Sequence, residues 1–174
     1  MTAITVNDEE FELLVKEVIK NEGGYVNDPV DPGGETKYGI SKRSFPHLDI
    51  KNLTIEDAMA IYYEGYYDKY HLDRIKDLKL RYKIFDLSVN VGPGRACHFV
   101  SNALDDVGGS GVPLNGTISL GMIESINSVD PNFFLQFLIK EATNFYLAII
   151  ESKPKMKKYE KGWLRRAEHV PSCL

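Results

Sequence analysis

The chain has 174 residues, of which 43% are hydrophobic and 26% are charged, and its formal net charge is -4. A chain of this length forms one domain, or one domain with a smaller lobe, and buries a sizeable core. The composition excludes a disordered protein, and the acidic balance argues against a nucleic-acid-binding protein, whose domains are usually strongly basic.

The first predicted element is an amphipathic helix that begins at Asn7, where Glu10 completes a capping box. A Gly-Gly pair at positions 23 and 24 ends the helix. Its apolar residues recur with the helical period, and they are Phe11, Leu14, Val15, Val18 and Ile19. The same period places Glu22 on the apolar face, where a carboxylate is unexpected.

A small hairpin and a series of helices are predicted after this element. Turn-forming Pro and Gly residues separate extended pieces at 25–26 and 36–40, which are predicted to pair. A short helix is predicted at Ser41, and Thr54 with Asp57 marks the start of the next one. The remaining predicted helices span 75–91 and 95–107, begin near Ser119, span 131–151, and run towards Glu168. The predicted class is mainly α with one small β-hairpin.

The sequence also carries signals about the compartment. The N-terminus shows no basic segment followed by an apolar one, so no secretory signal is visible. The longest apolar run, 145–150, is too short to cross a bilayer. The cysteines, Cys97 and Cys173, are too few for a disulfide framework. We therefore expect a protein that is cytoplasmic as synthesised and does not insert into a membrane.

Glu22 suits the chemistry of glycosidic bond cleavage. That reaction needs a carboxylic acid that keeps its proton near neutral pH, and a second acidic or polar group on the opposite face of the sugar. An apolar setting and the negative end of a helix dipole both favour the protonated form of a carboxyl group. The loop after Glu22 supplies candidates for the second group, namely Asp31 and Thr36, with Asp28 and Glu35 nearby.

The acidic residues of this loop have an alternative role as calcium ligands. Asp28 and Asp31, however, lack the alternate-residue spacing of an EF-hand loop, and Asx-Pro turns are commonly structural. We therefore predict neither a metal nor a cofactor.

Three segments of the chain resemble a known family. Residues 22–40, EGGYVNDPVDPGGETKYGI, resemble the signature of the glycoside hydrolase family 108 muramidases, which include phage endolysins and bacterial muramidases tied to secretion. Residues 85–96, FDLSVNVGPGRA, resemble the start of the peptidoglycan-binding region that accompanies this family. Residues 162–166, GWLRR, resemble the C-terminal element of that region.

The resemblance implies a lysozyme-like helical fold and hydrolysis of the β-1,4 bond between N-acetylmuramic acid and N-acetylglucosamine in peptidoglycan. It also implies that Glu22 is the catalytic acid. The arrangement is similar to phage-type lysozymes too, which assigns the two partner positions to Asp31 and Thr36. Tyr25 and Tyr38, in the same motif, are interpreted as substrate-binding residues.

The family pattern suggests two lobes. We interpret residues 1–84 as the catalytic lobe and 85–174 as a helical peptidoglycan-binding lobe packed on it. Asp86 and Asn90 lie four residues apart on a largely buried helix, where they either line the sugar cleft or satisfy buried polar groups. The Gly92–Arg95 segment either holds an anion or forms a plain interhelical turn.

The expected partner is the peptidoglycan glycan strand. Because this polymer lies outside the cytoplasm, export would depend on a holin, a secretion apparatus or lysis of the host. The rival interpretation is a non-catalytic peptidoglycan-binding or secretion-accessory protein of the same fold.

Overall fold

The computed structural model describes residues 8–27, 34–109 and 116–174. The chain divides into two units, which we call unit 1 (Met1–Lys69) and unit 2 (Tyr70–Leu174). The division precedes the lobe boundary predicted between residues 84 and 85. That predicted boundary falls inside a continuous helix, Leu78–Asn90, so it would separate residues that share one hydrogen-bonded segment.

Unit 1 begins with helix α1, Glu9–Glu22. The predicted cap, Asn7, lies outside the described residues, and the structure places the N-cap at Asp8, whose carboxylate accepts the Phe11 N–H at 2.9 Å. The predicted apolar face is confirmed, because all five of its residues are buried. The helix ends at Gly23, whose φ of 86° suits glycine and whose N–H donates to the Ile19 carbonyl.

The predicted hairpin is present, with a tighter turn than the sequence indicated. Strand β1, Thr36–Lys37, pairs with β2, Ile40–Ser41, in the antiparallel register Thr36↔Ser41. The two residues between the strands, Tyr38 and Gly39, both have positive φ, as a two-residue type I′ turn requires. The predicted contact between 25–26 and 36–40 is confirmed as a bridge between Val26 and Thr36.

The rest of unit 1 is a turn region followed by helix α2, Ile55–Tyr62. The short helix predicted at Ser41 is wrong. Residues after Ser41 form turns, in which the Ser44 and Phe45 N–H groups donate to the Ser41 carbonyl, and Pro46 prevents continuation as a helix. The capping box predicted at Thr54 is confirmed. A π-helical segment, Tyr63–Tyr67, follows α2 directly.

Every regular secondary-structure element among the described residues of unit 2 is a helix. Unit 2 begins with a 3-10 turn, Leu72–Arg74. Its α-helices are α3 (Leu78–Asn90), α4 (Pro93–Asp106), α5 (Leu120–Ser128), α6 (Pro131–Ser152) and α7 (Glu160–Glu168), with a 3-10 segment, Pro154–Tyr159, before α7. The predicted helices are thus confirmed, with their ends moved by a few residues.

Helices α3 and α6 organise unit 2. Nine successive residues of α3, from Leu80 to Ser88, are buried, so this helix has no solvent face over more than two turns. Helix α6 packs against α3, α4, α5 and α7. By length and composition alone α6 also meets the requirements of a membrane span, a test that core helices of soluble proteins pass as well. Phe134, Leu138 and Ala142 of α6 are buried in the protein core.

Candidate active site

Glu22 lies at the C-terminal end of α1, where the helix meets the hairpin turn. Its side chain is half-buried, and it packs against the Cα of Gly39. A Cβ atom built on Gly39 would lie only 2.9 Å from both Cγ and Oε2 of Glu22. Only glycine therefore lets the backbone of the turn approach this carboxylate so closely.

Tyr62 joins the hairpin turn to the end of α2. Its ring is 2% exposed, and its hydroxyl donates to the Tyr38 carbonyl at 2.7 Å. A Cβ on Gly39 would approach the Tyr62 hydroxyl oxygen even more closely than it approaches Glu22. The carboxylate of Glu22, the turn and the Tyr62 hydroxyl therefore meet at one point. The sequence alone does not distinguish Tyr62 from its neighbours, because it belongs to a cluster of five tyrosines: Tyr62, Tyr63, Tyr66, Tyr67 and Tyr70.

The π-helical segment supports α1 from one side. The Phe11 ring contacts the Tyr63 ring edge-on at 5.0 Å and the Tyr67 ring at 4.8 Å, measured between ring centroids. Phe11 and Tyr67 are both buried. Aromatic contacts of this kind contribute about 0.5–1.5 kcal/mol each beyond area burial. They fix the helix that carries Glu22 against the segment that follows Tyr62.

Thr36 and Tyr25 occupy the strand and loop next to this point. The half-buried Thr36 is held by two 2.8 Å backbone hydrogen bonds with Val26. Tyr25 is 40% exposed, and its hydroxyl donates to Glu35 Oε1 at 3.2 Å. Partial desolvation and the Glu35 carboxylate both raise the pKa of the Tyr25 phenol. Two predicted residues, Thr36 and Tyr38, thus belong to the hairpin whose turn contacts Glu22.

The predicted catalytic partner Asp31 lies outside the described residues, as does Asp28. Its role stays a prediction. Within the parts of the chain that the structure describes, no group of three or more His, Cys, Asp or Glu side chains is arranged to hold a metal ion.

Asp86 has a structural environment in unit 2. It is 1% exposed and accepts from Arg166 on both oxygens, with the Arg166 Nη2 atom 2.9 Å from Oδ1. The adjacent Lys83 is also buried, and its ammonium group donates to the carbonyls of Arg166, Ala167 and His169 at 3.2, 2.8 and 2.6 Å. These contacts favour the alternative in which Asp86 satisfies buried polar groups.

Asn90 also has an internal partner. Its side-chain oxygen accepts a hydrogen bond from the Tyr146 hydroxyl. The Tyr146 ring stacks on Trp163, with centroids 5.5 Å apart, and Tyr159 stacks on Trp163 at the same distance. Asn90 is therefore fixed by α6, and its predicted contact with substrate stays a prediction.

The architecture is a lysozyme-like, mainly α fold, and one family model matches part of the chain. Residues 15–92 match the family model "Glycosyl hydrolase 108". The match includes Glu22, the hairpin and helix α3, and it covers less than half of the chain. The resemblance seen in the sequence is confirmed over these residues.

The fold is also similar to a solved structure, that of SagA from Brucella abortus. The TM-score is 0.72 and the sequence identity 24%, over 90% of this chain and 88% of that chain. The similarity at this identity establishes the fold. A comparison with curated protein sequences gives no significant match.

Proposed function

We propose that the protein is an N-acetylmuramidase that hydrolyses the β-1,4 bond between N-acetylmuramic acid and N-acetylglucosamine, with Glu22 as general acid. One observation carries this proposal: the half-buried Glu22 side chain ends α1 against the hairpin turn, within the segment that matches the hydrolase family. In this placement one side of the Glu22 side chain packs against the protein, and the exposed side can contact a sugar.

The proposed reaction begins with proton transfer from Glu22 to the glycosidic oxygen of the leaving sugar. Positive charge then develops on the ring carbon that loses this oxygen. A group on the opposite face of the sugar stabilises this charge or directs water to the carbon. We assign that role to Asp31 or Thr36. Tyr25 and Tyr38 are proposed to contact the sugar because both lie in segments next to Glu22.

The test compares wild type with Glu22→Gln on purified peptidoglycan, by turbidity and product mass. Glutamine keeps the size of the side chain and removes the acidic proton. The matched control is Glu9→Gln, which makes the same change on an exposed residue of the same helix. Loss of a general acid typically lowers the rate by about a hundredfold to ten-thousandfold. We expect such a loss for Glu22→Gln, unchanged activity for Glu9→Gln, and unchanged circular dichroism for both.

The same assay separates the rival functions. Reducing muramic ends identify a hydrolase, whereas anhydro-muramic ends identify a lytic transglycosylase. Binding without release of any product by wild type would contradict the proposal and favour a peptidoglycan-binding accessory protein. Full activity of Glu22→Gln would refute the role given to Glu22.

The location of the substrate gives the remaining proposals. Since peptidoglycan lies outside the cytoplasm, we propose that a holin or a secretion apparatus brings the enzyme to the cell wall. Expressed alone in a bacterial host, the protein is expected to leave the cells intact. Co-expression with a holin is expected to cause lysis with wild type but not with Glu22→Gln.

A further inference from the structure

A groove in unit 2 lies between helices α4 and α6 and plays no part in the proposed chemistry. Its volume is about 630 Å³, within the range of about 300–1,000 Å³ that small ligands occupy in proteins. Its lining is mainly polar and charged, and it includes Arg95, His98, Asn102, Glu141, Asn144 and Phe145.

Arg95 gives the groove a positively charged group. Its side chain is exposed, and its guanidinium carbon lies 4.6 Å from the centroid of the Phe145 ring. Among the described residues Arg95 has no carboxylate within ion-pair distance. A guanidinium contacting a ring through its face retains in-plane N–H donors, which suit a carboxylate. Arg95 is therefore a positioned cation with no counter-ion among the residues that the structure describes.

Glu141 gives the groove a negatively charged group on the opposite helix. The Asn102 amide donates to Glu141 Oε2 at 2.7 Å, across from α4 to α6. This bond orients the carboxylate, and each carboxylate oxygen has more than one acceptor site. Two further polar side chains, His98 and Asn144, are exposed on the same lining. The groove therefore offers a cation, an anion and hydrogen-bonding groups within one ligand-sized space.

We propose that this groove binds the peptide part of peptidoglycan rather than its glycan. This inference rests on the proposed function, which makes peptidoglycan the substrate. The lactyl carboxyl groups that carry the peptides are amidated by them, so the glycan there is neutral. The charge of the polymer then lies on the peptides, which have free carboxylates and, at a diamino acid, a free ammonium group. Arg95 suits the carboxylate and Glu141 suits the ammonium group.

The experiment measures binding of a synthetic stem tetrapeptide, L-Ala, D-isoGlu, diaminopimelate and D-Ala, by calorimetry. The variants are Arg95→Gln and Glu141→Gln, each of which removes one charge and keeps a hydrogen-bonding side chain. The matched control is Lys158→Gln, because Lys158 is also an exposed cation, 4.8 Å from the centroid of the Tyr159 ring. We expect about tenfold weaker binding for each groove variant and no change for the control.

A second peptide tests the pairing directly. When the peptide carboxylates are amidated, wild type is expected to bind as weakly as Arg95→Gln, and Arg95→Gln is expected to show no further loss. Absence of tetrapeptide binding, or equal losses for Arg95→Gln and Lys158→Gln, would overturn the inference. So would displacement of the tetrapeptide by peptide-free glycan.

Hydrolysis of the peptide-free glycan, measured in parallel, tests the proposed function separately. Hydrolysis without tetrapeptide binding would refute the proposal that the groove binds the peptide and leave the proposed enzyme activity intact. Binding that depends on Arg95, with no hydrolysis of either substrate, would instead remove the enzyme assignment and leave the groove as the binding site of an accessory protein.

Discussion

Gly39 allows the closest test of the site geometry, because its missing side chain leaves room for Glu22 and Tyr62. In Gly39→Ala, the new Cβ would lie 2.9 Å from Cγ and Oε2 of Glu22. The φ of 77° adds strain of about 1–2 kcal/mol for a residue other than glycine. Overpacking adds about 1–3 kcal/mol unless the neighbours move. We expect a loss of about 2–5 kcal/mol in the free energy of unfolding, together with displacement of the Glu22 carboxylate.

Gly34→Ala separates the strain from the contact. Gly34 also has a positive φ, 69°, but among the described residues the nearest heavy atom to its built Cβ, apart from its chain neighbours, is Lys42 Cβ at an ordinary 3.8 Å. This variant is expected to lose only the strain, about 1–2 kcal/mol, and to keep its kcat. A misplacement of a catalytic group by about 1 Å can lower the rate about a hundredfold. We therefore expect Gly39→Ala to lower the kcat of peptidoglycan hydrolysis by about this factor. Equal stability in urea and equal kcat for the two variants would refute the proposed contact.

Three further predictions concern groups that hold or surround the site. Tyr62→Phe removes the hydroxyl that donates to the Tyr38 carbonyl, so we expect the free energy of unfolding in urea to fall by about 1–2 kcal/mol. We also expect a lower kcat with little change in KM. An unchanged kcat would limit Tyr62 to a structural role. Thr54→Ala removes the capping box of α2, and a loss of about 1 kcal/mol in urea unfolding with unchanged kcat is expected. Burial lowers the pKa of Lys83 to about 8, below an unfolded value of about 10.4. The unfolded chain therefore binds more protons between these pH values, and wild-type stability is expected to rise with pH there, by at most about 1.4 kcal/mol per unit relative to Lys83→Met. Parallel pH curves for the two proteins would contradict that assignment.

The features of unit 1 that the sequence predicts well are local ones. The apolar stripe of α1 follows from the helical period alone, and the same period identified Glu22 as a carboxylate at the end of that stripe. The capping box at Thr54 needs only residues three positions apart. The family motif predicted that Glu22 and the hairpin belong to one site, and the hairpin turn does contact Glu22 in the structure.

The features that the sequence missed depend on distant contacts. Tyr62 resembles its neighbours in the chain, and only the placement of α2 against the hairpin shows that its hydroxyl reaches the Tyr38 carbonyl. The π-helical segment after it changes which face each later tyrosine occupies, and helical periodicity contains no signal for such a change. The helix expected at Ser41 failed for a local reason, since Pro46 follows within five residues.

The motif of unit 2 carries structural and functional residues side by side, and burial distinguishes them. Asp86 and Arg166 belong to separate segments that each resemble the family, and they form an ion pair in which Asp86 is 1% exposed. Lys83 joins the same two helices through three carbonyls at the end of α7. A buried charge that loses its partner costs about 3–5 kcal/mol, so folding alone explains why these residue types occur together. A ligand contact in this motif is therefore expected from its exposed members, and Arg95 is an exposed cation there with no counter-ion in the described parts of the chain.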